Sequence, residues 1–340
     1  MQPSYGPARR FVKRSYLPPV RRLWSLAALL VIALSSPSVG VAQGLPAFSP
    51  INPVAASRSG LSFLPYQEPR PGRWMTTFEV DYASTIEDNY SPPADYLLDS
   101  ELLRLRLGLR RDLHPNAFVL LESELGGAYS GFLDGFLSWY HGVLGVDIPE
   151  RDRRPTDEFL YNVELPDGPN IRGRPSDLFL GDLRVGLGVR VRPGWQSVLA
   201  FTLPTASGPA GYGRGVVSFN LLNTLRAPLN PRLIYEGSLG VGATPAQGGL
   251  APVQRKLMVA ASSGLRFRFW GRQSVYGNLF YHSPYYRGTS LPALDRRDLS
   301  LDFGWILATR LGYEWRVGLA EDLEPGGPAV DLIFRLGGGF

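Results

Sequence analysis

The chain has 340 residues, no cysteine, 44% hydrophobic residues and a formal net charge of +5. The lack of cysteine excludes disulfides and thiol chemistry. Six of the 35 basic residues (Arg9, Arg10, Lys13, Arg14, Arg21 and Arg22) fall within residues 1–42, which hold no acid, and the rest nearly balance the 30 acidic residues. No basic field for nucleic acid is left.

In chain order, the first element is an export leader. The basic stretch is followed by "LWSLAALLVIAL" (Leu23 to Leu34), then by "SVGVAQG", where Gly40 and Ala42 suit the −3 and −1 positions of a signal-peptidase site. The apolar run is shorter than the roughly 20 residues of a spanning helix. Residues 1–42 are therefore expected to be a signal peptide cleaved near Ala42. Residues 43–72 are proline-rich without steady alternation, and are expected to form an N-terminal arm in the periplasm.

From residue 73 to the end, apolar residues recur at every second position. "RWMTTFEVDYA" sets Trp74, Phe78, Val80 and Tyr82 against Glu79 and Asp81. "ELLRLRLGLR" sets Leu103, Leu105, Leu107 and Leu109 against Arg104, Arg106 and Arg110. The same pattern returns in "AFVLLESELGGAY", "DLFLGDLRVGLGVRVR", "GWQSVLAFTLP", "VVSFNLLNTLR", "RLIYEGSLGVGA", "RKLMVAASSGLRFRF", "SVYGNLFYH", "DLSLDFGWIL", "RLGYEWRVGL" and "AVDLIFRL". A period of two marks a half-buried strand. Runs of about 9–15 residues exceed the mode of about 5–6 for globular strands and suit a tilted spanning strand. Connections alternate between tight ("DLHPN", "RPG", "PLNP", "WGRQ") and long (85–98, 131–176, 205–213, 245–252, 287–296, 321–327), and aromatic residues gather near strand ends. The pattern predicts an all-β fold: a transmembrane antiparallel barrel of about 12 strands, leucines to lipid and arginines to the lumen, with one helix-containing outer loop. A terminal Phe340 on the last strand is the expected assembly signal.

Within 131–176, "GFLDGFLSWYHGVLGVDIPERDRRP" shifts the period to about 3.6. It predicts an amphipathic helix that caps, plugs or gates the barrel mouth through Phe132, Phe136, Trp139 and Tyr140, with plug or cap favoured over gate, or else lies on the membrane surface. The expected lumen and constriction set is Arg104, Arg106, Arg184, Arg190, Arg266, Arg268, Arg316 and Arg335 with Glu122, Glu124, Asp302 and Glu314. A narrow arginine-lined passage favours anions, whereas near balance of the charges suits a filled, non-conducting barrel.

Enzymatic signals are weak. His282 and Ser283 are adjacent and point to opposite faces. His114 and His141 have no metal-ligand spacing. "GPAGYGRG" lacks the Lys-Ser/Thr and the helix of a phosphate cradle. No catalytic residue, metal or cofactor is expected, and a lipid-modifying hydrolase ranks third behind a passive solute channel and a closed structural or surface-binding barrel. The expected partners are outer-membrane lipid and lipopolysaccharide, the barrel-assembly machinery and periplasmic chaperones, and an unidentified small solute; Arg151, Arg153 and Arg154 could touch lipopolysaccharide, but solvated loop charges are the favoured reading of them.

The stretches "NPVAASRSGLSFLPYQEPRPGRW", "FLDGFLSWYHGVLGVDIPERDRRP", "LPTASG" and "SPYYRGTSLPAL" resemble the domain-of-unknown-function 3187 family of Gram-negative bacteria. That resemblance implies an exported, outer-membrane protein and carries over no catalytic residues. "LPTASG" also looks like a strand-to-loop element of aromatic-compound transport barrels, which leaves a transport role open.

Overall fold

The computed structural model describes residues 44–340 except 92–93, 146–154, 166–169, 210, 311, 325 and 340. The expected leader, Arg151, Arg153, Arg154 and the terminal Phe340 thus lie outside the described residues.

Twelve strands close into one antiparallel barrel: β1 (Trp74–Ser91), β2 (Ala94–His114), β3 (Ala117–Tyr129), β7 (Leu183–Arg192), β8 (Trp195–Leu203), β9 (Ser218–Asn230), β10 (Leu233–Ala243), β11 (Leu257–Trp270), β12 (Gln273–His282), β13 (Asp298–Ala308), β14 (Glu314–Asp322) and β15 (Leu332–Gly339). Each pairs with its sequence neighbour, and β15 pairs with β1 to shut the cylinder, which leaves no edge exposed. Three short strands, β4 (Leu160–Glu164), β5 (Ile171–Arg172) and β6 (Ser176–Leu180), belong to the long loop after β3; β4 extends the wall along β2, and β6 along β3. The described helices are α1 (Pro53–Ala56), α2 (Asp134–Leu144) and α3 (Pro292–Asp295), none long and apolar enough to cross a membrane.

Alternation decides which side chains face in. Along β2 the arginines at 104, 106 and 110 are buried, while Leu107 and Leu109 are exposed on the outer wall. The outer wall carries the same exposed apolar rows on β7, β9, β11 and β14, for example Leu187, Leu221, Phe267 and Val317. A surface apolar all round and polar within is the reverse of a soluble barrel.

Two loop expectations need correction. Residues 85–98, read as a loop, are mostly strand: β1 and β2 stay paired from Trp74↔Arg111 to Ser91↔Ala94. Alternation fades there because polar and apolar residues mix on both faces, as with Ile86 beside Glu87 and Leu97 beside Leu98, yet backbone pairing does not depend on it. The arm, expected to lie in the periplasm, instead enters the barrel.

Candidate functional site: the barrel lumen

Residues 44–67 fold as a hairpin inside the barrel. At the end of the short turns, Leu45 N donates to Glu236 Oε2 at 2.8 Å and Arg266 Nη1 to the Gly44 carbonyl at 3.2 Å. The chain climbs to the long-loop end, turns through α1, and descends. Phe48 and Phe63 exchange backbone hydrogen bonds of 3.1 and 2.7 Å across the two limbs. Near the short turns again, the Gln67 carbonyl accepts from Arg190 Nε at 3.2 Å, and Arg70 N reaches Asp112 Oδ2 at 2.5 Å before β1 begins.

The sequence of the arm explains the fit. Its prolines and short polar residues leave many carbonyls without sheet partners, and buried carbonyls need donors. Arginine supplies them: a guanidinium carries five donors and no acceptor. Arg104 donates to the Pro50 carbonyl at 2.7 Å and the Ser49 carbonyl at 2.9 Å. Arg335 reaches the Ala47 carbonyl at 2.8 Å, and Arg184 the Gly60 carbonyl at 2.6 Å. Arg106 Nη2 donates to Ser49 Oγ at 2.5 Å.

Apolar arm residues cover the apolar patches between those arginines. Leu45, Phe48, Leu61 and Phe63 are buried in one cluster with Phe118, Leu222, Met258 and Phe280 of the sheet. The lumen thus interleaves charged and apolar surface, with Glu122 and Phe118 both on β3 and Arg266 and Met258 both on β11, and the arm presents carbonyls to the arginines and side chains to the apolar patches.

Within the charged surface, register sets the pairing. Asp81 on β1 lies opposite Arg104 on β2 and Arg335 on β15, and binds them at 2.6 and 3.0 Å. Arg335 also meets Asp302 at 2.6 Å. Glu79 takes Arg106 at 3.1 Å and lies near Arg316 at 3.9 Å, Arg266 pairs with Glu314 at 2.8 Å, Arg184 with Glu122 at 2.9 Å and Arg190 with Asp112 at 2.6 Å. Of the residues singled out from sequence, Arg104, Arg106, Arg184, Arg190, Arg266, Arg316, Arg335, Asp302 and Glu314 are buried in the interior, and Glu122 and Glu124 are partly buried there. Arg268 is not with them: still in register with Ser274 but at the barrel's end, it is exposed at the rim, where Nη2 donates to the Pro231 carbonyl at 2.8 Å.

Space remains between the arm and the β1–β3 side of the wall. One cavity of ≈ 60 Å³ lies toward the short turns, lined by Gln67, Thr77, Arg106, Arg110, Glu122 and Arg316. A second of ≈ 50 Å³ lies toward the long loops, against Arg104, Arg106, Glu122, Glu124, Arg184 and Arg214. They share Arg106 and Glu122, so they adjoin end to end along that wall. Each holds a few waters and no more.

Three elements tie the arm at the long-loop end, and sequence reading identified none of them. Arg58 is buried and donates to the carbonyls of Thr244, Pro245 and Arg255 at 3.1, 3.0 and 3.0 Å. Arg214, from the loop after β8, binds Asp182 at 3.1 Å and donates to the Ser59 carbonyl at 2.5 Å. Ser59 Oγ meets His282 Nε2 at 2.6 Å. A buried arginine in a proline-rich segment was the available signal; it has no partner within that segment.

Helix α2 is not a plug of the mouth. It lies on the outer wall, where Phe132 stacks on Tyr82 of β1 at 5.7 Å between ring centroids and Phe136 packs on Phe334 of β15 at 5.9 Å. Glu101, outward on β2, accepts from Tyr82 Oη, from Phe132 N at 2.6 Å and from Leu133 N. It fastens the first turn of the helix to the barrel. Leu137 and His141 are buried beneath the helix; Phe132, Trp139 (63% exposed) and Val143 face away. The helix thus lies outside the barrel with its predicted apolar face divided: Phe136 and Leu137 pack on the wall, while Trp139 and Val143 lie on the exposed side. The physical reason is that a barrel mouth already packed by the arm has no room for it, whereas lipid tolerates it.

Comparisons with known proteins agree with this architecture. The profile of a family described as protein of unknown function (DUF3187) matches residues 52–337. No curated protein matches the chain. Among solved structures, the COG4313 outer membrane channel from Pseudomonas putida F1 superposes with a TM-score of 0.51 at 12% identity, over 81% of this chain and 97% of that one. The NanC porin gives 0.44 at 7%, over 78% and 98%, and the Pseudomonas putida toluene transporter TodX 0.38 at 10%, over 79% and 89%. At 12% identity the likeness to the COG4313 channel is one of fold: an outer-membrane type of β-barrel.

Proposed function

The chain belongs to the DUF3187 family, and we propose that it is an outer-membrane channel held shut by its own N-terminal arm. The short turns then face the periplasm and the long loops the cell exterior. The observation that carries this reading is that Arg104, Arg184, Arg266 and Arg335 of the wall bind backbone carbonyls of the arm. Those bonds are side chain to backbone, outside the sheet ladder, and the barrel closes without them. Withdrawal of the arm frees their N–H donors while each arginine keeps a carboxylate partner: Asp81, Glu122, Glu314 and Asp302 respectively. Donors on paired arginines suit polar or anionic solutes. The likeness in fold to the COG4313 channel supports the reading.

A closed scaffold is the second reading. It is favoured by the apolar cluster that joins arm and wall inside the barrel. A hydrolase is disfavoured by the geometry of the Ser59–His282 contact. His282 Nδ1 faces the Ser283 carbonyl at 2.5 Å, so no carboxylate orients the ring, and Asp298 is engaged by Ser300 and Tyr285. In this reading the chain is not an enzyme.

A disulfide lock tests the channel. A Cβ at position 60 would lie 3.2 Å from Cγ of Asn220, close to the reach of a disulfide, and the native chain has no cysteine to interfere. Planar-bilayer conductance of the Gly60→Cys, Asn220→Cys variant is expected to show discrete openings when reduced and silence when oxidised. Silence in both states, and in a folded variant lacking residues 44–66, would leave the scaffold.

A further inference from the structure

The short-turn end of the barrel carries a charge pattern that neither the lumen nor the arm uses. Seven arginines are exposed there: Arg73, Arg111, Arg192, Arg232, Arg268, Arg272 and Arg310. They come from the strand ends and tight turns all the way round the rim. The acids nearby do not offset them. Asp112 and Glu314 are buried and already bind Arg190, Arg110 and Arg266, which leaves Glu68 as the exposed acid of this rim among the described residues. Among the described residues none of the seven is in an ion pair. At the other end the exposed arginines are mixed: Arg297 pairs with Glu324 at 2.7 Å and Arg172 with Glu164 at 3.2 Å, whereas Arg174, Arg255 and Arg287 are in no ion pair among the described residues.

Tryptophans sit directly beneath this ring, where the apolar belt ends. Arg111 lies over Trp74 at 5.3 Å, and Arg192 over Trp195 at 5.4 Å. Trp270 is 72% exposed and borders a shallow recess with Arg272, Gln273, Leu307, Thr309 and Arg310. Gln273 is held in that recess by the Trp305 indole, which donates to its Oε1 at 3.1 Å. The recess therefore has an apolar floor and two cations at its lip.

We infer that this rim binds anionic phospholipid headgroups of the leaflet it faces, with the Trp270, Arg272 and Arg310 recess as one defined headgroup position. An indole seated at the interface places a guanidinium at the level of the phosphates. Guanidinium is the side chain that meets phosphate through two parallel hydrogen bonds. The rim is continuous with the lipid-facing wall, which favours a lipid over a soluble polyanion. This rests on the barrel spanning a bilayer and not on whether the lumen conducts.

The test is native mass spectrometry of the full chain, released from bilayers containing phosphatidylglycerol and phosphatidylcholine, with folding checked by heat-modifiable gel migration. Preferential retention of phosphatidylglycerol is expected. Each Arg→Gln change near an anionic surface weakens attraction roughly fivefold, so Arg272→Gln with Arg310→Gln loses roughly 25-fold. The pair Arg111→Gln and Arg192→Gln, at other turns, gives the same readout should the first pair misfold. Equal retention of both lipids by the folded chain overturns the inference. So does tight binding of inorganic polyphosphate without a phosphatidylglycerol preference, which would point to a soluble polyanion. A chain that never gains heat-modifiable migration overturns the spanning barrel itself.

Discussion

Ser59 of the arm and His282 of β12 meet at 2.6 Å beneath the long loops. The Ser283 carbonyl can only accept, so it fixes the hydrogen on His282 Nδ1 and leaves Nε2 as the acceptor for the serine hydroxyl. The ring also stacks on Tyr285 at 4.2 Å. His282→Phe keeps the stack and removes the acceptor, at a cost of about 1–3 kcal/mol for the stranded hydroxyl. The cost falls on the closed state alone. Faster amide exchange across residues 58–64, with unchanged protection in the barrel strands, is the expected outcome in hydrogen-exchange mass spectrometry.

Arg58 makes a stronger claim on the same state. It gives three hydrogen bonds to carbonyls after β10 and before β11. Arg58→Ala strands those acceptors and empties a large buried site, and a loss of about 3–5 kcal/mol is expected for removing one partner of a buried charged network. Because the arm is not a strand of the barrel, that loss appears as arm release. Limited proteolysis within residues 44–58 should accelerate well before the barrel's thermal transition moves.

The barrel was legible because its wall is repetitive. Period-two alternation, strand length and alternating turn lengths each report the same cylinder, so an error in any one strand is absorbed. The inward set followed from parity and gave out at the barrel's ends, where Arg268, though still in register with Ser274, is exposed at the rim, as are Lys256 and Arg310 at their strand ends. The arm was not legible in this way. Its partners lie far away in sequence, as with Arg58 and Pro245 or Gly44 and Arg266, and a chain without regular structure carries no periodicity to reveal its neighbours. Helix α2 was legible as a helix but not in its orientation. An apolar stripe buries itself equally well in a protein core or in lipid, and only the outward position of Glu101 on β2, which holds its first turn, decides between them.

Glu101 gives the corresponding prediction. Its carboxylate satisfies Tyr82 Oη and the two N-terminal amides of the α2 turn. Glu101→Ala leaves these donors unmet, at about 1–3 kcal/mol for each that stays buried, and α2 should lift from β1 and β15. In bilayers of brominated lipid, the native chain should show a quenched emission component that Trp139→Phe removes. Glu101→Ala should change that component while the far-ultraviolet spectrum of the sheet persists. Absence of a Trp139 contribution would place α2 in water.

The Asp81 network separates a stabilising ion cluster from a merely crowded one. Asp81 is buried among Arg104, Arg335 and Arg106 at 2.6, 3.0 and 4.0 Å. All three arginines also hold the arm, so a change at Asp81 acts on wall and plug together. Asp81→Asn leaves excess positive charge in a desolvated site, and about 3–5 kcal/mol of unfolding free energy should be lost in guanidinium titrations of the detergent-folded barrel. Adding Arg104→Met to Asp81→Asn removes the excess charge and should recover part of that loss, since an apolar replacement of a buried pair is often neutral. Arg172→Ala, which breaks the exposed pair with Glu164, should cost less than about 1 kcal/mol. If Asp81→Asn behaves like Arg172→Ala, water reaches the network freely, and the arm is then a loose occupant of the lumen and not its seal.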